Sequence, residues 1–555
     1  MPHLARASLT GTFATLVLLV LPLTPAAAQT GVQVNIDPNG FDIIGDAANE
    51  PSIAVSPIDP SIVVVGWRDF PTVASDARFA GVAYSHDGGV TWTNNGPLPA
   101  PPDQPANAQG TDPLIVPDSD GTLYYWSEIF RPNPPTKHYV YQSVDGGVTW
   151  PIVNAVQDPA TPGDKEWMAI DRTGGIGDGF IHAGWNNFDL GGHCYVRSTD
   201  GGVSFSDPIR IADEGGTQWM IQYAVGIDGE VYAAWRNTSR NWIYITKSTN
   251  ANDPAQAPRF DAFGGGGQNG LDLQVARNND PGFMNINPVG FHQLYLDVNR
   301  SNGPHRGEVY LLWSSDRNDH ADIEFARSVD GGQTWQTNIR VNDDAFGNDA
   351  YQWMPAMGVA PNGRIDAIWF DTRNDLGDPT PESELWYAFS EDGGVTWSPN
   401  RRLAVQFSTN IGWPVQQKIG DYITMVSDDE GAHIAYAATH NGGQDVWHLR
   451  ANPFLLEVPP LVAGQPTTIT VRDARPNASV WLGYSVTGRG DSAINQLDVT
   501  VELLNPVQAG ARLTTDANGD AEWTLNVPPG AAGLDLWIQS VQFGAASNVV
   551  ATTVN

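Results

Sequence analysis

Two series of residues in this 555-residue chain carry groups able to do chemistry on a sugar. One series follows a recurring tryptophan: Arg68-Asp69, Ser127-Glu128, Asn186-Asn187, Arg236-Asn237, Asp316-Arg317, Asp371 with Arg373, and His440-Asn441. The other stands at the entry to each unit: Glu50, Asp112, Lys165-Glu166-Trp167, Gln218-Trp219, Gln352-Trp353 and Asp421-Tyr422. A guanidinium grips a carboxylated sugar in a bidentate fork, and an indole such as Trp167 or Trp353 covers a sugar face. Paired carboxylates supply acid and base. The same residues have a plainer reading. Tryptophans repeated at one strand position belong to a core, and neighbouring Arg and Asp side chains form structural ion pairs.

The elements that would hold these groups are set by a repeat. Five segments share one pattern, at Ser85-His-Asp87-Gly-Gly89-Val-Thr-Trp92, Ser143 to Trp150, Ser198 to Phe205, Ser328 to Trp335 and Ser390 to Trp397; a decayed copy starts at Ser248-Thr-Asn250. Ahead of each lies a short apolar strand, and ahead of that a strand ending in Trp, as in Val63-Val-Val-Gly-Trp67 and Val309-Tyr-Leu-Leu-Trp313. Four short strands in a period of about sixty residues read as a propeller blade. Seven units are expected, with six as the alternative. Val32-Gln-Val-Asn35 resembles Ile339-Arg-Val-Asn342 and is expected to supply the closing strand of the last unit, hiding its edge. The aspartates are read as turn staples, because identical chemistry in every unit fits architecture and not one site. From Phe454 to the C-terminus the pattern changes to alternating strands such as Thr467-Thr-Ile-Thr-Val471, expected to form an Ig-like β-sandwich.

The Ser-x-Asp-x-Gly-x-Thr-Trp segments resemble the Asp boxes of the sialidase-like superfamily of propellers, over residues of about 30 to 450. The resemblance implies an all-β propeller (29–453) and, as activity, removal of acidic sugars. By that resemblance Arg68, Arg236 and Arg373 would hold the sugar carboxylate, Asp76 would be the acid/base, and Tyr422 the nucleophile, with Glu50, Glu166, Trp167 and Trp353 as further substrate contacts. Two motifs of that family are missing. Asn49-Glu50-Pro51-Ser52 stands where an aromatic-Arg-Ile-Pro is expected, and Gln218 or Met220 stands where an assisting Glu should precede Arg236. Two other functions stay open: a non-catalytic propeller that binds glycan or protein, and a hydrolase of another polysaccharide using Glu50, Glu166, Asp371 and Asp421.

Residues 1–28 read as a cleaved signal peptide: Arg6, an apolar run from Phe13 to Leu21, then Pro25-Ala-Ala-Ala28. The expected product is a secreted or periplasmic monomer without a transmembrane anchor, with a glycan or glycoconjugate as partner. A formal net charge of −33 argues against nucleic acid. With one cysteine, Cys194, no intramolecular disulfide can form. No cofactor is expected and no metal motif stands out. Asp118 and Asp120 lie in a turn that could take a structural Ca²⁺, though a solvated hairpin explains them as well. Arg489-Gly490-Asp491 is read as a chance loop.

Overall fold

The computed structural model describes residues 31–555 except 132–135, 157–162, 213–214, 264–271, 278–292, 318–319, 473, 476, 498, 517–518 and 544. The segment read as a signal peptide lies outside the described residues. Among them there is no α-helix, only strands and one 3-10 turn at Pro529–Ala531, and no helix is long and apolar enough to cross a membrane.

Residues up to about 452 form seven four-stranded antiparallel sheets. Six are consecutive in sequence. The first runs Ala47–Val55, Val63–Phe70, Phe79–Ser85 and Thr93–Pro97. The seventh takes Thr424–Ser427, Ala432–Ala438 and Asp445–Ala451 and borrows its outer strand, Val32–Gln33, from the other end of the chain. Each inner strand packs on the inner strand of the next sheet, and that of the seventh packs on that of the first. The sheets therefore close into a ring, the arrangement of a β-propeller.

The second strand of each sheet is buried on both faces, so β-branched runs such as Val63-Val-Val need no polar alternation. Its terminal aromatic sits between sheets: Trp67, Trp126, Trp185, Trp235, Trp313 and Trp369 are at most 1% exposed. Each Ser-x-Asp turn is held the same way. The Ser85 hydroxyl accepts from Gly89 N–H at 2.9 Å, and Asp87 accepts from Thr91 N–H at 2.9 Å. Gly89 adopts φ +89°, open to glycine at little cost. The Trp92 indole then donates to Gly89 O at 3.1 Å. In the decayed copy Asn250 accepts from Arg259 N–H instead, across a longer loop.

Strand register fixes which end of the ring these turns occupy. Val55 pairs with Val63 and Val63 with Ser85, so the turns lie at the C-terminal end of the inner strand; Asn49 and Arg68 pair at the opposite end.

From Leu455 onward two antiparallel sheets share one core. Leu456, Ile469, Val471 and Trp523 from one sheet meet Val480, Leu482 and Ile538 from the other, which makes a β-sandwich. Arg489 is paired with Glu502 on the adjoining hairpin strand, which occupies its charge inside the domain.

Candidate functional site

Five inner strands break register at the same step: between Asn49 and Ser52, Thr111 and Leu114, Asp164 and Trp167, Trp219 and Gln222, and Trp353 and Ala356. Inside each bulge one non-glycine residue takes the left-handed region: Glu50 (φ 51°), Asp112 (48°), Lys165 (59°), Met220 (52°) and Met354 (51°). That conformation costs on the order of 1–2 kcal/mol per residue. It recurs here because a bulge re-aims a side chain, in this case along the inner rim of the ring. Proline follows in three of the five (Pro51, Pro113, Pro355), where the bulge already removes a ladder hydrogen bond.

The re-aimed charges meet across four sheets. Lys165 Nζ lies 2.8 Å from Asp112, 2.6 Å from Asp421 and 3.8 Å from Glu50. Lys418 Nζ lies 2.7 Å from Asp421 and 3.1 Å from Glu50. Arg68 pairs with Glu50 at 2.9 Å and donates to Asn49 at 2.8 Å. Burial opposes ionisation of Asp421, but Lys165 and Lys418 outweigh it and hold this carboxyl well below its ordinary range. Asp112 is lowered in the same way, Lys165 prevailing over burial. Access from solvent is narrow: the Asp421 side chain is 13% exposed and Lys165 9%.

Beneath them lies a second pair of opposite character. Burial, with Asp112 and Asp164 adding to it, drives the Glu128 carboxyl well up; burial and the Glu128 charge do the same to Glu166. Both Glu166 oxygens and Glu128 Oε2 are buried without a hydrogen-bond donor. Two facing carboxyls with no donor between them share a proton. His138 approaches Glu166 to 4.0 Å, and burial lowers its pKa to about 3, so it is neutral. Glu128, His138 and Glu166 have the spacing of metal ligands. However, His138 Nδ1 already accepts the Trp126 indole N–H at 3.2 Å, which spends the lone pair that would face an ion and leaves the ring proton on Nε2. The arrangement is a pair of buried carboxyls, both held well above their ordinary range.

Trp167, half-buried, meets Tyr295 and Tyr422 edge-on at 5.9 and 6.3 Å and touches cores contributed by sheets on opposite sides of the ring. It is the aromatic wall of the axis.

The structure thus gathers Glu50, Arg68, Glu166, Trp167 and Tyr422 in one place. Asp76 borders them: Arg78, which donates to Asp76 O at 3.4 Å, lies within the field of Arg68, Asp112 and Glu50. Tyr422 is buried and donates its hydroxyl to Pro113 O at 3.1 Å; burial and nearby carboxylates raise its pKa well above the ordinary range, so it is a poor source of phenolate. The other residues lie elsewhere. Arg236 is wholly buried on the second strand of the fourth sheet. Arg373 is taken up by Asp371 (2.8 Å), Asp343 (2.7 Å) and Asn400 (3.0 Å), over the Trp386 ring. Trp353 has no exposed surface; it packs on Phe370 and donates to Ser383, so it is core and covers no ligand. Asp118 spends one oxygen on the N–H groups of Asp120 and Thr122, the hydrogen bonding of a hairpin.

Lys418, Asp164 and His138 were not singled out from sequence. Lys418 carries no repeat signature, since it precedes an inner strand that has no bulge. A sign was available in its spacing from Asp421, three residues on.

No protein-family model matches the chain, and no curated protein does. Among solved structures it is similar to a protein of unknown function from Dyadobacter fermentans (16% identity over 76% of this chain and 97% of that one, TM-score 0.41). It is also similar to the intramolecular trans-sialidase of Ruminococcus gnavus (13%, 67% and 100%, TM-score 0.44) and to an α-L-arabinofuranosidase of Fusarium graminearum (12%, 65% and 98%, TM-score 0.41). The chemistry of the axis therefore rests on the residues described above.

Proposed function

We propose that this chain is a secreted, seven-bladed propeller with an appended Ig-like domain, and that it cleaves extracellular glycans by carboxyl acid–base chemistry at the bulged end of its axis. One observation carries the reading: carboxyls pushed in opposite directions share one cluster. Burial raises Glu128 and Glu166 well above the ordinary carboxyl range, whereas Lys165 and its neighbours hold Asp421 and Asp112 below it. Groups whose environments push their pKa values apart are the raw material for a general acid beside a base or nucleophile. Trp167 offers a sugar-stacking face next to them. Exo-sialidase chemistry is the less favoured form, because Arg68 and Arg373 are already committed to Glu50 and Asp371.

A non-catalytic reading has its own support. The ion pairs of Lys165 and Lys418 satisfy one another and are nearly closed to solvent, as in a plug that locks the ring. A hydrolysis screen separates the two. Purified mature protein would be offered sialosides, arabinans and uronic-acid polysaccharides, with Glu166→Gln and Asp421→Asn as controls. Release of sugar that both substitutions abolish supports catalysis; release by no substrate, with retained glycan binding, supports the plug.

A further inference from the structure

The seam where the ring closes gathers four carboxyl groups, those of Asp42, Asp46, Asp69 and Asp445. Gln33 lies on the outer strand of the seventh sheet, opposite Trp447, and Asp445 begins the strand it pairs with. One oxygen each of Asp42, Asp46 and Asp445 lies within 4.8 Å of the other two. Asp69 stands close enough to raise Asp46 electrostatically. Among the described residues none of the four forms an ion pair. Asn35 bridges two of them, donating to Asp445 at 2.6 Å and to Asp46 at 3.4 Å, and Gln33 donates to Asp42 at 2.8 Å. The second Asp445 oxygen is buried with no partner, on a residue only 1% exposed.

Two sister sheets, the fifth and the sixth, carry an acid at the same place and show what neutralises it there. In the fifth sheet Asp322 begins the third strand, and Arg340, opposite Glu324, meets it at 2.6 Å and Asp344 at 3.0 Å. In the sixth, Glu384 begins the third strand, and Arg402, opposite Trp386, meets it at 2.8 Å. Asn342 repeats the role of Asn35: its side-chain oxygen accepts from Ile323 N–H at 2.8 Å, as Asn35 accepts from Val446 at 2.9 Å. The register is the same in all three sheets, two residues into the third strand. At the seam the position of the arginine is filled by Gln33, and the acids are kept without their cation.

We propose that a calcium ion occupies this seam, bound by Asp42, Asp46 and Asp445, and that it replaces the arginine of the sister sheets to fasten the N-terminal strand to the last sheet. The donors are all oxygens, which suits a hard cation, and Asp42 is partly exposed, leaving room for the waters that complete a Ca²⁺ shell. The ion would offset the repulsion among these close carboxyls in the folded ring only, so binding and closure are linked.

The test uses the mature chain stripped with a chelator. Calorimetry with CaCl₂ should show one site with a Kd of about 10⁻⁴ M or tighter. Millimolar Ca²⁺ should raise the melting temperature by about 2 °C, and Mg²⁺ by less. Asp445→Asn should lose binding. Gln33→Arg restores the sister arrangement; it should melt without Ca²⁺ where the loaded wild type does and ignore added Ca²⁺, while Asp118→Asn should behave as wild type. The proposal is overturned if the wild type neither binds nor responds to millimolar Ca²⁺, or if Gln33→Arg binds it undiminished. It is equally overturned if Mg²⁺ stabilises as well as Ca²⁺ does.

Discussion

Replacing Lys165 by Met removes the ammonium that three carboxylates share. In the folded protein it stands 2.8 Å from Asp112, 2.6 Å from Asp421 and 3.8 Å from Glu50, with 9% of its side chain exposed. Lys418 still serves Asp421 and Glu50 in the variant, so the loss falls hardest on Asp112. Removing one partner of a buried ion pair costs about 3–5 kcal/mol, most of it the charge left unpaired. The expected loss is in that range at pH 7.5, read from urea unfolding followed by tryptophan fluorescence. Its pH dependence follows from the direction of the shifts. Asp112 and Asp421 are held below their unfolded values, so the stability they contribute is present above about pH 4 and is lost as pH falls through their folded values. In Lys165→Met the Asp112 share of that contribution is already gone, so the gap to wild type should be widest near neutrality and close only as pH falls below about 4. Adding Asp112→Asn removes the stranded charge and should recover about 2 kcal/mol of the loss, a coupling that a double-mutant cycle measures. A single-variant loss under about 1 kcal/mol, or additive costs in the cycle, would refute the network as described.

Glu166→Gln mimics the protonated dyad and gives Glu128 a donor. Because both carboxyls are raised, the wild type is stabilised by them below about pH 4.3 and loses that as pH rises, so the variant should gain on the order of 2 kcal/mol over wild type at pH 8 and little at pH 4.5; equal pH profiles would contradict the shared proton. Asp330→Ala removes a turn staple that accepts from Thr334 N–H at 2.9 Å and from Gln333 N–H at 3.1 Å; it should cost about 1 kcal/mol in urea unfolding and leave any glycan hydrolysis unchanged. Burial lowers His138, His182 and His193 each to about 3, so the unfolded chain gains protons that the folded one refuses as pH drops below about 6.5. Stability should fall there by about 1.4 kcal/mol per pH unit for each histidine, and His182→Phe should reduce the slope by that amount; an unchanged slope would remove His182 from the account.

The ring was readable because its signal is local and repeated. A Ser-x-Asp-x-Gly turn followed by Trp needs nothing outside its own eight residues, as the bonds from Gly89 and Thr91 to Ser85 and Asp87 illustrate. The borrowed strand was legible for the same reason, since Val32 to Asn35 copies Ile339 to Asn342 and the two make matching contacts. The axis was legible only in part. Glu50, Lys165 and Asp421 could be placed on entry loops, but their meeting depends on bulges that put Glu50 and Lys165 in left-handed conformations, and on ring closure between residues over 350 positions apart. Whether an arginine is free cannot be told from its strand position. Arg373 turns back on Asp371 two residues away, and Trp353, one residue before its bulge, packs on Phe370, whereas Trp167, two residues after the left-handed Lys165, meets Tyr295 and Tyr422.

The most direct test of the central claim is a titration of the axial carboxyls by ¹³C NMR, with labelled Glu and Asp and with Glu166→Gln and Asp421→Asn to assign the signals. The account predicts that Glu128 and Glu166 stay protonated at pH 7 while Asp421 remains ionised well below pH 4. Ordinary titration of all three near pH 4 would contradict it.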